Sequence, residues 1–163
     1  MLATRDPLTG FLSAPVLHEA LTHEVASTER YGAPSLVVVD VVDYDRWLAA
    51  RGALRADLVM RGLSAMLRSS SRRSDIHGLL EPGRLCLLLP RTTAVDAQIV
   101  LRRVRAHCVR LGTPQMQLVV GLIHLPSPTA VEEVLVEVDG VMLAARGSQT
   151  LRVVAGADGA PTL

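Results

Sequence analysis

Aromatic side chains are scarce in this 163-residue chain: Phe11, Tyr31, Tyr44 and Trp47 are all it has. That scarcity removes the rows of rings on which single-stranded nucleic acid stacks. Cysteine is rarer still. Cys86 and Cys108 both fall in apolar segments, so they read as small core hydrophobes and not as a disulfide or a metal pair. An excess of one charge is missing too, with 17 basic against 16 acidic side chains. No global field therefore draws the chain to nucleic acid or to an anionic membrane. No apolar run reaches membrane-spanning length, and the first residues lack the basic-then-hydrophobic order of a leader. The expectation is a cytoplasmic protein with neither membrane nor nucleic acid as partner, in a reducing compartment. A nucleophile elbow, a phosphate loop and a CxxC pair are absent, and the five histidines have no metal-ligand spacing.

What is present is aliphatic. Nearly half of the residues are apolar, enough for one sizeable core of Leu, Val, Ala and Met. The stretch Leu79 to Pro90 is the centre of the pattern. Pro82-Gly83 is a turn signal, and the all-apolar run Leu85 to Leu89, closed by Pro90, reads as a buried strand. Asp75 to Leu80 is its expected hairpin partner.

Around the hairpin, Leu17, Leu21 and Val25 recur every fourth residue and predict a helix from Pro15 to about Arg30, capped by Ser13. Ser35 to Val39 predicts a strand ending at Asp40. A short helix is expected over Tyr44 to Arg51 and a longer one from Ala53 to Ser70, with Leu54, Leu58, Leu63, Met66 and Leu67 inward. Thr93, with Asp96 three residues on, opens a third long helix carrying Ile99, Val100, Val104 and Leu111. Its outer face is basic. Gln115 to His124 reads as a strand in which Gly121 implies close approach of a neighbour. Thr129 and Glu132 suggest a capping box for a further helix, and Leu151 to Val154 a last strand. The order predicts an α+β fold, a central mixed sheet flanked by helices, as one domain over residues 1–154 with a frayed tail at 155–163.

Three places could carry chemistry. Asp40, Asp43 and Asp45 could offer oxygen ligands to Mg²⁺; alternatively Asp43 caps the short helix and Asp45 is solvated. Arg72, Arg73 and Asp75 could grip a phosphate or a guanine edge, although pattern alone favours a solvated turn. Glu81 and Arg84 at the hairpin tip do not form a paired-carboxylate acid/base site. His77 reads as structural.

The order of these motifs resembles a GGDEF domain, the diguanylate cyclase family, over nearly the whole chain. Arg5-Asp6-Pro7-Leu8-Thr9-Gly10-Phe11-Leu12 is similar to that family's DxLTGLxN opening, with Ser13 for Asn. Val37 to Val42 resembles the strand with an acidic DxD-type segment, whose second acid is Val42 here. Tyr44-Asp45 falls where Phe-Lys is usual. Arg72-Arg73-Ser74-Asp75 stands in register with the RxxD of the inhibitory site. Asp139 matches the Asp of the late helix, and Arg146 replaces its Lys. The fold implied is the nucleotidyl cyclase-like, ferredoxin-like palm with a mostly antiparallel sheet.

The signature is replaced. Glu81-Pro82-Gly83-Arg84-Leu85 stands where the family has Gly-Gly-Asp-Glu-Phe. The family's acids at the third and fourth places bind metal and assist attack by the 3′-hydroxyl, and Gly83 and Arg84 bring no carboxylate. Leu48 stands for a base-reading Asn, Ala53 for a His, and Thr150 for a phosphate-gripping Arg. Asp40, Asp57 and Arg146 are what the resemblance leaves of a nucleotide and metal site. It implies no catalytic residue, no metal and no cofactor, and a bacterial signalling protein that works through a protein partner. Two other readings accompany it. One is a cyclic di-GMP receptor using Arg72, Asp75 and Arg103. The other is a GTP-binding module without turnover. A homodimer is compatible with each.

Overall fold

The computed structural model describes residues 3–113, 115–125, 128–146 and 153–155. Five strands form one sheet in the order β2-β3-β1-β4-β5. They are β1 (Ser35–Val41), β2 (Ile76–Glu81), β3 (Arg84–Leu89), β4 (Leu118–His124) and β5 (Val153–Ala155). The first four neighbours pair antiparallel, and β5 joins β4 in parallel. Six helices accompany them: α1 (Ala14–Ala26), α2 (Thr28–Tyr31), α3 (Tyr44–Arg51), α4 (Ala53–Ser70), α5 (Ala94–Leu111) and α6 (Val131–Arg146). This is the α+β architecture that the motif order predicts.

The two-residue period of the strands sends alternate side chains into two cores. Val37, Val39, Leu85, Leu87 and Leu122 face α3, α4 and α5, with Trp47, Leu63, Leu67, Leu101 and Val104. Leu36, Val38, Cys86, Leu88 and Ile123 face α1 and α6, with Leu17, Leu21, Val134, Val138 and Met142. Strands β1 and β3 are buried along their whole length because both faces are covered. On the outer side of β2 the N-terminal segment lies alongside, with Leu12 N donating to His77 O and Leu79 N to Leu12 O, both at 2.9 Å. That segment therefore blunts the β2 edge.

Both cysteines are buried, and burial pushes each thiol up to about 12. His77 is held structurally, 2.7 Å from the Ser71 hydroxyl and 5.1 Å from the Phe11 ring. At Gly121 a Cβ would meet Met142 Sδ and Val141 Cγ1 at 2.9 Å, so α6 packs directly on the β4 backbone. Thr93 caps α5, accepting from Asp96 N at 3.1 Å.

Several local expectations are corrected. The helix starting near Pro15 breaks at Ser27 into α1 and α2. Ser13 sits at the cap position without a cap bond, its hydroxyl buried and unpartnered. Asp43 precedes α3 in a left-handed conformation, φ 51°, and does not cap it. Helix α6 begins at Val131, and the Ala130 carbonyl accepts from Glu133 N and Val134 N. Leu54, Leu58 and Ile99 point to solvent, and the inward stripes run through Ala56–Met60–Leu63–Leu67 and Ala97–Leu101–Val104–Cys108. Asp40 lies within β1, not beyond its end. Ala155, expected as the first residue of the tail at 155–163, belongs to β5; Thr150 and residues 156–163 lie outside the described residues.

Candidate functional site

The site forms where β1 and the hairpin tip meet the C-terminal half of α6. Asp40 and Arg84 are cross-strand partners in the β1–β3 ladder. Cross-strand partners project to the same face. Their position in the alternation, after Leu36 and Val38 and before Cys86 and Leu88, sends both toward α6. On α6, Asp139 and Arg146 are seven residues apart, two turns, and so lie on one side of the helix.

The Arg84 guanidinium is the hub. Nη1 donates to Asp139 Oδ1 at 2.5 Å and lies 3.1 Å from Glu81 Oε1; Nη2 donates to Asp40 Oδ2 at 3.2 Å. Arg146 lies 3.7 Å from Asp40 and 3.5 Å from Asp43. Burial by itself lowers the Arg84 pKa, but the bonds to Asp139 and Asp40 and the nearby negative charge outweigh it and leave it raised. A buried charge persists only when it is paired in this way. One atom is left over: Arg84 Nε is buried without a partner.

The hairpin tip is closed by Gly83, at φ +82°, a conformation that L side chains rarely adopt. A Cβ on Gly83 would collide with Tyr44, whose ring stacks on Trp47 at 6.3 Å. Beside the hub opens a cleft of about 510 Å³, lined by Asp40, Asp43, Tyr44, Arg46, Glu81, Arg84 and Arg146 among others. Its charges are mixed.

The Mg²⁺ that three nearby acids suggest does not fit this arrangement. Divalent ions of that kind take carboxylate oxygens with open coordination around them. Here Asp40, Glu81 and Asp139 converge on a guanidinium already in the centre. Among the described residues no group of three or more His, Cys, Asp or Glu is placed to hold a metal ion. Of the residues assigned to the nucleotide and metal remnant, Asp40 and Arg146 come together. Asp57 is exposed on α4, and the cleft is lined without it.

The RxxD turn is a second, separate place. Asp75 is fully buried at its carboxylate, which accepts from Arg72 N at 2.7 Å. The Arg72 guanidinium, largely exposed, bonds Thr92 Oγ1 at 2.8 Å and lies 3.5 Å from Asp75. Arg103 donates to Ser70 O at 3.2 Å. Arg72 and Arg103 thus flank the same turn, while Asp75 faces inward. Sequence reasoning missed Glu81 and Asp139 as partners of Arg84. The signal available was their sign and, for Glu81, its spacing across a two-residue turn.

Among the described residues, no helix is long and apolar enough to cross a membrane. The family profile "Diguanylate cyclase, GGDEF domain" matches residues 3–150. The diguanylate cyclase DgcP of Pseudomonas aeruginosa is 32% identical over 105 residues, 64% of this chain and 16% of that protein. The chain thus spans only a small part of that relative. Diguanylate cyclase SiaD from Pseudomonas aeruginosa, solved in complex with its activator SiaC, superposes with a TM-score of 0.79 at 28% identity, over 94% of this chain and 62% of that one. The GGDEF domain of DgcB from Caulobacter crescentus, solved with c-di-GMP, superposes with a TM-score of 0.79 at 18% identity, over 95% and 96%. That last likeness speaks to the fold alone. With nearly its whole length inside the profile, the chain belongs to the GGDEF family.

Proposed function

We propose that this is a catalytically silent GGDEF domain, a regulator in cyclic di-GMP signalling that acts through contact with a protein partner. The observation that carries the reading is the Arg84 guanidinium bonded to Asp139 and Asp40 and paired with Glu81. A cyclase of this family condenses GTP with the help of metal-bound phosphates. A fixed cation among the carboxylates competes with any such metal for the same oxygens. Pro82 and the Tyr44–Gly83 contact further close the hairpin tip to a backbone approach by nucleotide. Asp57 is not among the residues that line the cleft, which leaves Asp40 and Arg146 of the three residues a GTP-holding module would use there.

Calorimetric titration with MgCl₂ and MnCl₂ tests this reading. No saturable binding is expected. One-site binding that disappears in Asp40→Asn would overturn it. The relative SiaD, solved with an activator protein, supports the idea that a surface of this fold serves partner contact.

A second reading, a cyclic di-GMP receptor, is favoured by one observation: Arg72 and Arg103 flank the same exposed turn. Two guanidinium forks suit a phosphate diester. In this reading Asp75 holds the turn in shape and Arg72 and Arg103 contact the ligand. Calorimetry with cyclic di-GMP at micromolar protein decides it. Saturable heat that is lost in Arg72→Ala supports the receptor; no heat, or heat unchanged by that substitution, rejects it.

A further inference from the structure

The near-neutral chain is not neutral face by face. Helices α4 and α5, which cover one side of the sheet, carry seven arginines against Asp57 and Asp96, a net +5. Helices α1 and α6, which cover the other side, carry five glutamates and Asp139 against Arg146, a net −5 with histidines neutral. The sheet separates the two layers. Arg61, Arg102 and Arg110 on the first layer and Glu19, Glu132 and Glu133 on the second are all exposed.

Each layer also shows apolar side chains to solvent. Leu58, Ile99 and Val109 stand 62%, 54% and 76% exposed among the arginines, and Val136 and Leu143 stand 70% and 68% exposed among the acids. Scattered exposed apolar residues are ordinary, but here each set lies within a layer of one sign. An 18-residue helix is about 27 Å long, and two side by side give a platform about 20 Å wide. That platform is comparable with one side of a small protein–protein interface.

From this we infer that the domain associates head to tail with a second copy of itself, the basic α4/α5 layer of one copy against the acidic α1/α6 layer of the next. The occupant follows from charge complementarity: the surface that matches each layer in sign is the opposite layer of the same chain. A nucleic acid would meet the basic layer without aromatic stacking partners, and it would leave the acidic layer unexplained. The contact is heterologous, so a pair retains one free layer of each sign, the acidic on one copy and the basic on the other, and association continues beyond a dimer unless the geometry closes a ring. The inference is independent of whether the hairpin tip is catalytic.

Sedimentation velocity on the full chain tests it. At about 10 mM ionic strength, where charges act over about 30 Å, the weight-average mass should rise at least twofold with protein concentration; at about 1 M, where the range is about 3 Å, it should return to the monomer. Two triple variants sharpen the test, each checked for native helicity by circular dichroism. One reverses the basic layer (Arg61→Glu, Arg102→Glu, Arg110→Glu) and one reverses the acidic layer (Glu19→Arg, Glu132→Arg, Glu133→Arg). Each alone should stay monomeric at low salt. Mixed in equal amounts they should associate again, since each then offers a layer that the other complements. A wild-type chain that is monomeric at low salt, variants that associate like wild type, or a mixture that stays monomeric would each overturn the inference.

Discussion

Replacing Arg84 with methionine removes the cation at the hub and keeps most of the side-chain volume. The cost is set by what the carboxylates lose. Glu81 and Asp139 are mostly exposed, at 57% and 72% of the side chain, so water takes over and each pair contributes about 0–1 kcal/mol. Asp40 is different, with only 7% of its side chain exposed. Without Arg84 it retains Arg146 at 3.7 Å as its nearest cation. Breaking a buried pair by removing one partner costs about 3–5 kcal/mol. With Arg146 giving partial relief, the lower end applies, about 3 kcal/mol. At a urea slope of about 1.5 kcal/mol/M, the midpoint should fall by about 2 M. The partner substitution Asp40→Asn identifies the source. In the double variant the buried charge is gone, so the two losses should fall short of additivity by about 2 kcal/mol. Urea unfolding of the four proteins measures this directly. A loss below about 1 kcal/mol in Arg84→Met, or strict additivity in the cycle, would refute the assignment of Arg84 as counter-ion to Asp40.

Gly121→Ala places a methyl against Met142 and Val141 and should destabilise by about 1–3 kcal/mol through overpacking, read by the same unfolding assay. Both cysteine thiols, pushed up to about 12 by burial, should resist a thiol reagent at pH 8 in the folded chain and react at once in denaturant; rapid reaction of the native protein would contradict their burial. Burial lowers the pKa of His77 and His124 from the ordinary 6.5, so each favours the folded state when neutral. That stability is fully present above pH 6.5 and is lost as pH falls toward the lowered folded values. Chemical unfolding between pH 7 and 5 should show the drop, and His77→Gln with His124→Gln should flatten it.

Much of the fold is legible in the sequence because its signals are local. The Pro82-Gly83 turn, the Thr93 cap and the four-residue recurrence of Leu17, Leu21 and Val25 each act within a few residues, and each stands in the structure. The missed helix faces have a physical reason. An aliphatic-rich helix such as α4 has leucines on both sides, so its period is readable while its phase is not; Leu54 and Leu58 are exposed and Met60 is buried. The hub is a long-range object. Asp40, Arg84 and Asp139 meet only through the β1–β3 register and the seating of α6, separated by 44 and 55 residues. The sequence shows a lone arginine at a turn; the fold gives it partners. The RxxD turn is the reverse case. Its residues are adjacent in sequence, but burial of the Asp75 carboxylate is set by packing that the motif does not encode.

In the reading proposed above, the chain keeps the GGDEF frame while its own guanidinium takes the place among the carboxylates. Prolonged incubation of the purified protein with GTP, in Mg²⁺ and separately in Mn²⁺, followed by chromatographic quantification of cyclic di-GMP, tests it most directly. Product should be no higher than in protein-free controls at every protein concentration. Cyclic di-GMP that rises in proportion to added protein would contradict it.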